Sequence, residues 1–392
     1  MRRWLLLSCT LVACAARESD GEQAVTNGTA ATGDPAVAAI VDGSGTIGCT
    51  ATVIAPHTAI TAAHCFVSRN PRTLSLLFGA SREQPTAITP ISDARSHPSF
   101  DPSTLAHDVA LMTFRTEAAA TLALDPRTID GTLVGTDVRV VGFGATSGTA
   151  GDAGTKREGI ARISDVQADE FTAMPNPSQP CRGDSGGPVF LGSTVADVIA
   201  GVVSRGDAAC VDHAVFSRID VARSVLVDPY LADIAPGTAH TGDACFYEGH
   251  CAEGPCLQTH DDVSLYFCSK SCTRDSDCPD AMKCASDGCR YPTPSPGALG
   301  YACDQDVDCS SEMCRESVCT VMCLLDPAVC PSGFECRGAG PSSYCFAKPD
   351  DDCGSCTTGT GAPLWIVVIW FVRARRSGRS SSRRDSRAVR SR

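Results

Sequence analysis

The distribution of cysteine is the feature that most constrains this chain. Of 24 cysteines in 392 residues, four lie between Cys49 and Cys210 and sixteen between Cys245 and Cys345. A reducing cytosol would keep so many thiols free and reactive, so the pattern indicates an exported protein whose cysteines form disulfides. Zinc modules usually combine close cysteine pairs with histidines, and the dense region holds only two histidines. We therefore expect disulfides there, and no metal.

The dense region contains two units of eight cysteines each. Their positions are 245, 251, 256, 268, 272, 278, 284 and 289, then 303, 309, 314, 319, 323, 330, 336 and 345. The first three match at an offset of 58 residues and the next four at 51 or 52. Each unit is too small to fold on an apolar core alone, so four disulfides apiece would supply its stability. We predict cysteine-rich repeats at 242–290 and 300–347; eight cysteines allow 105 pairings, and the connectivity stays open.

Residues 1–24 are expected to be a signal or lipoprotein-like segment with a short propeptide. Met1–Ala16 has a basic start, an apolar run and small residues, which is typical of an export signal. The run Leu11-Val-Ala-Cys14 also resembles the lipobox of bacterial lipoproteins. Cys14 is therefore a lipidation candidate, with plain signal cleavage as the alternative.

Residues 348–392 are expected to form a linker, a short hydrophobic segment and an Arg-rich tail. Nine apolar residues, Leu364–Val372, are too few for a standard membrane span of about 20. With Cys353-Gly-Ser-Cys356 before them and the basic tail after them, they resemble the sorting tags of myxobacterial surface proteins. We expect a sorting or anchoring tag, which would make the membrane a partner; a buried core segment is the alternative.

The net charge of -12 hides an asymmetry. The last twenty residues carry nine Arg and one Asp, a balance of +8, so the rest of the chain sums to -20. Phosphates would repel such an acidic body, which argues against a nucleic-acid partner.

Residues 25–236 are expected to form an all-β domain. Short apolar runs alternate with turn residues, which is typical of a barrel or sandwich. The runs are Ala36–Val41, Thr50–Ile54, Leu74–Phe78, Val109–Phe114, Val138–Val141 and Val198–Val203. One helical pattern follows at Asp220–Ile234, with Val221, Val225, Leu226 and Leu231 as its apolar positions and Pro229 interrupting it.

Three motifs in this domain suggest nucleophilic catalysis. They are Thr61-Ala-Ala-His64-Cys65, His107-Asp108-Val-Ala-Leu and Cys181-Arg-Gly-Asp-Ser185-Gly-Gly-Pro188. A serine hydroxyl is a poor nucleophile at neutral pH, so a histidine must accept its proton. A buried aspartate fixes the tautomer of that histidine and stabilises the imidazolium that forms.

In this order the motifs resemble the trypsin/chymotrypsin-like serine proteases, over about 210 of the 392 residues. The resemblance implies two packed antiparallel β-barrels, to which the repeats add two small disulfide-rich modules. It also implies a triad of His64, Asp108 and Ser185. Backbone N–H groups of Gly183 and Ser185 would form the oxyanion hole.

The resemblance implies two disulfides, Cys49–Cys65 and Cys181–Cys210. It places Gln179, Ser204, Gly206 and Ala214 at the specificity pocket. Trypsin-like enzymes have an aspartate at the position of Gln179. Without that carboxylate the desolvation of a substrate Lys or Arg is uncompensated, so we expect a preference for uncharged side chains.

Activation is also implied by the resemblance. Val25-Thr-Asn-Gly28 is similar to the mature N-terminus of the family, whose freed amine would pair with Asp184. Ala24, rather than Arg or Lys, precedes it, so trypsin-like self-activation is not the obvious route, and Ala15–Ala24 is expected to be a propeptide.

Together these features predict a secreted or cell-envelope serine endopeptidase acting on protein or peptide substrates. No metal or organic cofactor is expected, because acyl transfer by a triad needs none. The repeats would position the enzyme or bind a cell-surface partner. One alternative is a surface adhesion or recognition protein with an inactive protease-like domain; another is a protease kept latent by the repeats.

Overall fold

The computed structural model describes residues 25–191, 198–324, 326–338 and 343–348. The expected signal segment with Cys14 lies outside them, as does the C-terminal tag apart from its first residue. The described residues through Ala347 belong to one compact unit. Among the described residues, no helix is long and apolar enough to cross a membrane.

The first half of the protease segment is a closed antiparallel barrel. Strand β1 (Thr29–Ala30) precedes it and pairs with the second barrel. Its six strands are β2 (Val37–Val41), β3 (Ile47–Ala55), β4 (Thr58–Thr61), β5 (Ser75–Ser81), β6 (Gln84–Ser96) and β7 (Ala110–Phe114). They pair in the order β2-β3-β4-β7-β6-β5. β2 and β7 are buried along their whole length, which explains why both are continuous apolar runs in the sequence.

The second half forms another six-stranded barrel. Its elements are β8 (Ala123–Leu124), β9 (Asp137–Gly142), β10 (Arg157–Val166), β11 (Glu170–Pro175), β12 (Pro188–Leu191), β13 (Val198–Gly206) and β14 (Ala214–Arg218). The order β9-β10-β11-β14-β13-β12 closes on itself through antiparallel pairs, and β8 adds to β13 in parallel. The predicted all-β, two-barrel fold is confirmed.

The predicted helix is present, but the residues on its buried face differ from the prediction. Helix α1 (Ile219–Ala222) continues through a π turn (Arg223–Val227) into helix α2 (Asp228–Asp233). Pro229 lies in the first turn of α2, directly after the π turn. A π turn adds a residue to one turn and rotates the buried face. The assignment of Val225 to that face is therefore wrong: its side chain is 49% exposed.

The sixteen cysteines from Cys245 to Cys345 form eight disulfides, which confirms the disulfide prediction. They are Cys245–Cys256, Cys251–Cys268, Cys272–Cys284, Cys278–Cys289, Cys303–Cys314, Cys309–Cys319, Cys323–Cys336 and Cys330–Cys345. Within each unit the first cysteine pairs with the third, the second with the fourth, the fifth with the seventh and the sixth with the eighth.

Each eight-cysteine unit is thus two four-cysteine halves, and each half contains one two-stranded antiparallel sheet. The strands are β15 (Cys256–Gln258), β16 (Tyr266–Cys268), β17 (Lys283–Ala285), β18 (Gly288–Arg290), β19 (Cys314–Arg315), β20 (Val318–Cys319), β21 (Phe334–Arg337) and β22 (Tyr344–Ala347). A short 3₁₀ helix precedes each sheet, at Glu248–His250, Asp275–Asp277, Asp306–Asp308 and Pro327–Val329. Within the described part of the chain, the cysteine-rich region is therefore a run of four related halves.

The first repeat packs against the first barrel and the end of α2. The Tyr247 ring stacks on His57, with centroids 4.0 Å apart, and its hydroxyl donates to the Ile234 carbonyl. The Arg115 guanidinium lies 3.6 Å from the centre of the Tyr266 ring. Tyr247 is buried, so this contact is part of the packed structure rather than a surface encounter.

Candidate active site

The site begins with a histidine and an aspartate held by the first barrel. His64 lies in a 3₁₀ turn, Ala63–Phe66, directly after β4, and the disulfide Cys49–Cys65 ties this turn to β3. Asp108 comes just before β7, which pairs with β4. Adjacent strand ends therefore bring two residues 44 positions apart into contact.

Asp108 is completely buried and accepts three hydrogen bonds. The His64 ring nitrogen Nδ1 lies 2.7 Å from Oδ2, and the His64 backbone N–H donates to Oδ1 at 2.8 Å. The Ser204 hydroxyl donates to Oδ2 at 2.6 Å. These bonds fix the imidazole so that Nδ1 carries a proton toward Asp108, which leaves Nε2 as the basic nitrogen. The His64 side chain is 25% exposed and accessible to a substrate.

The second barrel supplies the serine loop. Ser185 follows Gly183, whose φ of 98° favours glycine, and precedes Gly186, whose φ is 82°. A Cβ on Gly186 would lie 1.9 Å from the Thr61 hydroxyl oxygen. The glycines thus let the loop pass close to the histidine-bearing barrel.

Thr50 joins the two barrels at this loop. Its backbone N–H donates to the Ser185 carbonyl at 2.8 Å, and its hydroxyl donates to the Gly183 carbonyl at 2.8 Å. The Thr61 hydroxyl in turn donates to the Thr50 carbonyl at 2.7 Å. The nucleophile loop of one barrel is therefore fastened to the strands that carry His64. Neither threonine's role was predicted from the sequence.

Asp184 is buried against the Gly142-Phe-Gly144 turn. Gly144 N–H donates to Oδ1 at 2.7 Å and Cys181 N–H to Oδ2 at 2.8 Å, and a Cβ on Gly142 would lie 2.1 Å from Oδ1. Burial raises the pKa of Asp184 to about 7, although these N–H groups and that of Val25 favour the carboxylate. Val25 is itself fully buried, so both members of the predicted activation pair lie at one place.

A cavity of about 290 Å³ opens beside Ser185. The disulfide Cys181–Cys210 closes one wall. Its lining consists of Pro180, Cys181, Arg182, Ser185, Val203, Ser204, Arg205, Gly206, Asp207, Ala208 and Cys210. All of these residues belong to the protease segment, and none belongs to the repeats.

Of the four residues predicted for the specificity pocket, two line this cavity and two are buried next to it. Ser204 and Gly206 line the cavity. Gln179 is buried beneath Gly206, because a Cβ on Gly206 would lie 3.6 Å from the Gln179 amide nitrogen. Ala214 is buried and is the strand partner of Gly206. Ser204 also contacts Asp108, a link that sequence reasoning missed.

Asp207 is a second residue that the sequence did not reveal. The Gln179 amide donates to its Oδ1 at 2.7 Å, and the backbone N–H groups of Ala209, Val211, Asp212 and His213 also point to its carboxylate. Desolvation opposes ionisation, but the Asp212 N–H, the Gln179 amide and the other N–H groups outweigh it and lower the pKa of Asp207. The carboxylate is thus ionised and already surrounded by donors.

A first barrel with a His–Asp pair, bonded through Thr50 to the glycine-framed serine loop of a second barrel, is the arrangement of the chymotrypsin-like class of serine protease folds. The family model described as Trypsin matches residues 24–226. The chain therefore belongs to the trypsin family.

Its relatives are serine proteases. The chain is 30% identical to spermosin from Halocynthia roretzi over 191 residues, which is 41% of this chain and 48% of that protein. It is 30% identical to chymase from Papio hamadryas over 180 residues, which is 41% of this chain and 70% of that protein. The chain thus spans about half the length of spermosin. Among solved structures, human heparin binding protein aligns with a TM-score of 0.46 and 22% identity, over 55% of this chain and all of that chain.

Proposed function

We propose that this protein is an exported serine endopeptidase that uses Ser185, His64 and Asp108. The observation that carries the proposal is the buried Asp108 carboxylate 2.7 Å from His64 Nδ1, in the cleft where Thr50 holds the Ser185 loop against the same barrel. His64 and Asp108 come from the first barrel and Ser185 from the second, and the Thr50 bonds tie the two parts together.

The proposed reaction proceeds through an acyl-enzyme. His64 Nε2 takes the proton of the Ser185 hydroxyl as its oxygen attacks the peptide carbonyl, and Asp108 stabilises the resulting imidazolium. The N–H groups of Gly183 and Ser185 would stabilise the oxyanion. His64 then gives its proton to the leaving amine. In the second half, water attacks the ester, His64 takes a proton from that water, and His64 passes this proton to the Ser185 oxygen as the carboxylic acid product leaves.

The pocket supports a preference for uncharged side chains. Asp207 is the carboxylate in the cavity lining, but Gln179 and backbone N–H groups already occupy its oxygens. Arg182 lines the same cavity, and its positive charge would repel a Lys or Arg of the substrate.

Activation by a new N-terminus at Val25 is part of the proposal. Cleavage after Ala24 would turn the buried Val25 N–H into an ammonium group next to Asp184. A cation beside the carboxylate would lower the raised pKa of Asp184 and keep it ionised, which would stabilise the serine loop. N-terminal sequencing of active enzyme tests this step, since a mature chain that begins elsewhere than Val25 contradicts it.

Secretion to the cell envelope, an anchoring role for residues 348–392 and the domain limits 25–236, 242–290 and 300–347 complete the proposal. The eight disulfides of the repeats favour an oxidising location. The cavity beside Ser185 is lined by protease residues alone, which favours an accessible enzyme over one kept latent by the repeats.

The test is cleavage of a peptide library by the mature full chain, with Ser185→Ala as the matched control. The proposal expects cleavage that the control lacks, after uncharged residues. Cleavage chiefly after Lys or Arg would contradict the specificity. Equal cleavage by the control would contradict the mechanism, and absence of cleavage in both would favour an adhesion or recognition role.

A further inference from the structure

A second, larger cavity lies between the first barrel and the second repeat. Its volume is about 560 Å³. The barrel contributes Ile40, Asp42, Thr46, Ile47, Gly48, Ser68, Arg69, Asn70, Thr73 and Leu74, and the repeat contributes Ser311, Met313 and Val321. Protease and repeat therefore form the walls of one site together.

Contacts beside the cavity hold the repeat in place. The Asn70 side-chain amide donates to the Ser310 carbonyl. The Arg72 guanidinium exerts an electrostatic attraction on Glu312. The wall that the repeat supplies is thus fastened to the segment of the barrel that follows His64.

The cavity adjoins the catalytic centre. Its two barrel segments are joined by the disulfide Cys49–Cys65, whose second cysteine directly follows His64. Gly48, in the lining, lies two residues before Thr50, whose N–H donates to the Ser185 carbonyl at 2.8 Å. The site therefore borders the barrel segments that carry His64 and hold the Ser185 loop.

The cavity beside Ser185 is lined by residues of the second half of the protease segment alone. A peptide whose acyl half occupies that cavity has its remaining residues free to continue past Ser185 over the first barrel. The residues released with the new amine are the part of a substrate that would reach the larger cavity.

The lining selects the chemistry of the occupant. Ile47, Leu74, Met313 and Val321 supply apolar surface, and Met adapts its shape to varied partners. The Arg69 guanidinium packs directly over Gly48, because a Cβ on Gly48 would lie 2.5 Å from Arg69 Nη1. Polar residues, among them Asp42, also line the cavity, but the apolar surface of these four residues fits an apolar side chain in a peptide.

We propose that the second repeat completes a specificity site for an apolar residue among the first few after the cleaved bond. This inference rests on the proposed function. It gives the repeat a role in choosing substrates, with Met313 as a specificity-determining residue.

Two kinds of substrate separate this role from catalysis itself. A peptide p-nitroanilide occupies only the acyl side, whereas an internally quenched peptide with leucine in the second to fourth positions after the cleaved bond would also reach the larger cavity. Both would be assayed with the mature full chain, Met313→Glu and Val307→Glu. Val307 is 79% exposed and does not line the cavity, so it provides a matched control in the same repeat.

Met313→Glu is expected to lower kcat/KM for the long peptide about tenfold, the lower end of what one apolar pocket contact contributes, and to leave the p-nitroanilide rate unchanged. Val307→Glu is expected to change neither rate. Should Met313→Glu lower both rates through misfolding, Met313→Ala decides, with a smaller loss confined to the long peptide.

Unchanged rates with the long peptide in both Met313 variants would overturn the inference and leave the proposed function intact. Equal losses with both substrates in Met313→Ala would also overturn it. Absence of hydrolysis of either substrate by the wild-type chain would overturn the proposed function, and this inference with it.

Discussion

The contact between Gln179 and Asp207 gives a prediction that can be worked out from the structure. Gln179 is buried and its amide N–H₂ donates to Asp207 at 2.7 Å and to the His213 carbonyl at 2.8 Å. Its amide oxygen has no hydrogen-bond partner among the residues that the structure describes. Gln179→Glu keeps the shape of the side chain but places a second carboxylate against Asp207.

The expected cost follows from the separation of the charges. Two carboxylates about 4 Å apart repel by ~4 kcal/mol at the effective dielectric constant of protein sites, which raises the pKa of the introduced carboxyl by about 3 units, from ~4.3 to ~7. A carboxyl group whose pKa is higher in the folded chain than in the unfolded chain contributes stability while it is protonated. This contribution is fully present below the pKa of the unfolded chain and is lost as pH rises through the pKa of the folded chain. The free energy of unfolding of the variant, relative to wild type, should therefore fall by about 3 kcal/mol between about pH 5 and about pH 8.

Chemical denaturation at both pH values measures this difference. Gln179→Met is the matched control, because it removes the same hydrogen bonds without adding a charge, and its loss should not depend on pH. A Gln179→Glu variant as stable as wild type at about pH 8, or one whose loss is the same at both pH values, would refute this account of the pocket.

Three further predictions concern single contacts. Asp108→Asn should lower kcat by about 10⁴, because the amide no longer holds His64 in the required tautomer, while the circular dichroism spectrum stays unchanged; a loss below tenfold would contradict the triad. Ser204→Ala removes one hydrogen bond to the buried Asp108 carboxylate and should lower kcat/KM about tenfold, while the stability of the repeats stays unchanged. An unaltered kcat/KM would show that this hydrogen bond does not contribute to catalysis. Tyr247→Phe removes the hydroxyl bond to the Ile234 carbonyl and should lower the free energy of unfolding by about 1 kcal/mol in denaturant titrations, with equal stability arguing against the packed interface.

Much of the fold could be predicted because its strands are buried. Runs such as Val109–Phe114 and Val198–Val203 are almost entirely apolar, and they form most of β7 and the first part of β13. The helix was harder, because a π turn before Pro229 changes which residues face the core, and a 3.6-residue period cannot represent it. Each half of a repeat has four cysteines, of which the first pairs with the third and the second with the fourth. The cysteine spacing of the two halves could therefore have suggested the division of each repeat.

The candidate site was predictable where short motifs carry it and not where distant segments meet. The residues around His64 and Ser185 form contiguous motifs, so their chemistry is visible in the sequence. The bond from Gln179 to Asp207 joins positions 28 residues apart, and no local pattern marks it. The stacking of Tyr247 on His57 likewise depends on how the first repeat packs on the barrel.

The central claim is that Ser185 is an activated nucleophile, and labelling with a fluorophosphonate probe tests it most directly. Mature wild-type protein that begins at Val25 would be compared with Ser185→Ala under the same conditions. We predict one covalent adduct per wild-type chain, on Ser185, and no labelling of the variant. A correctly processed wild-type protein that remains unlabelled, or a variant that is labelled equally, would contradict the account.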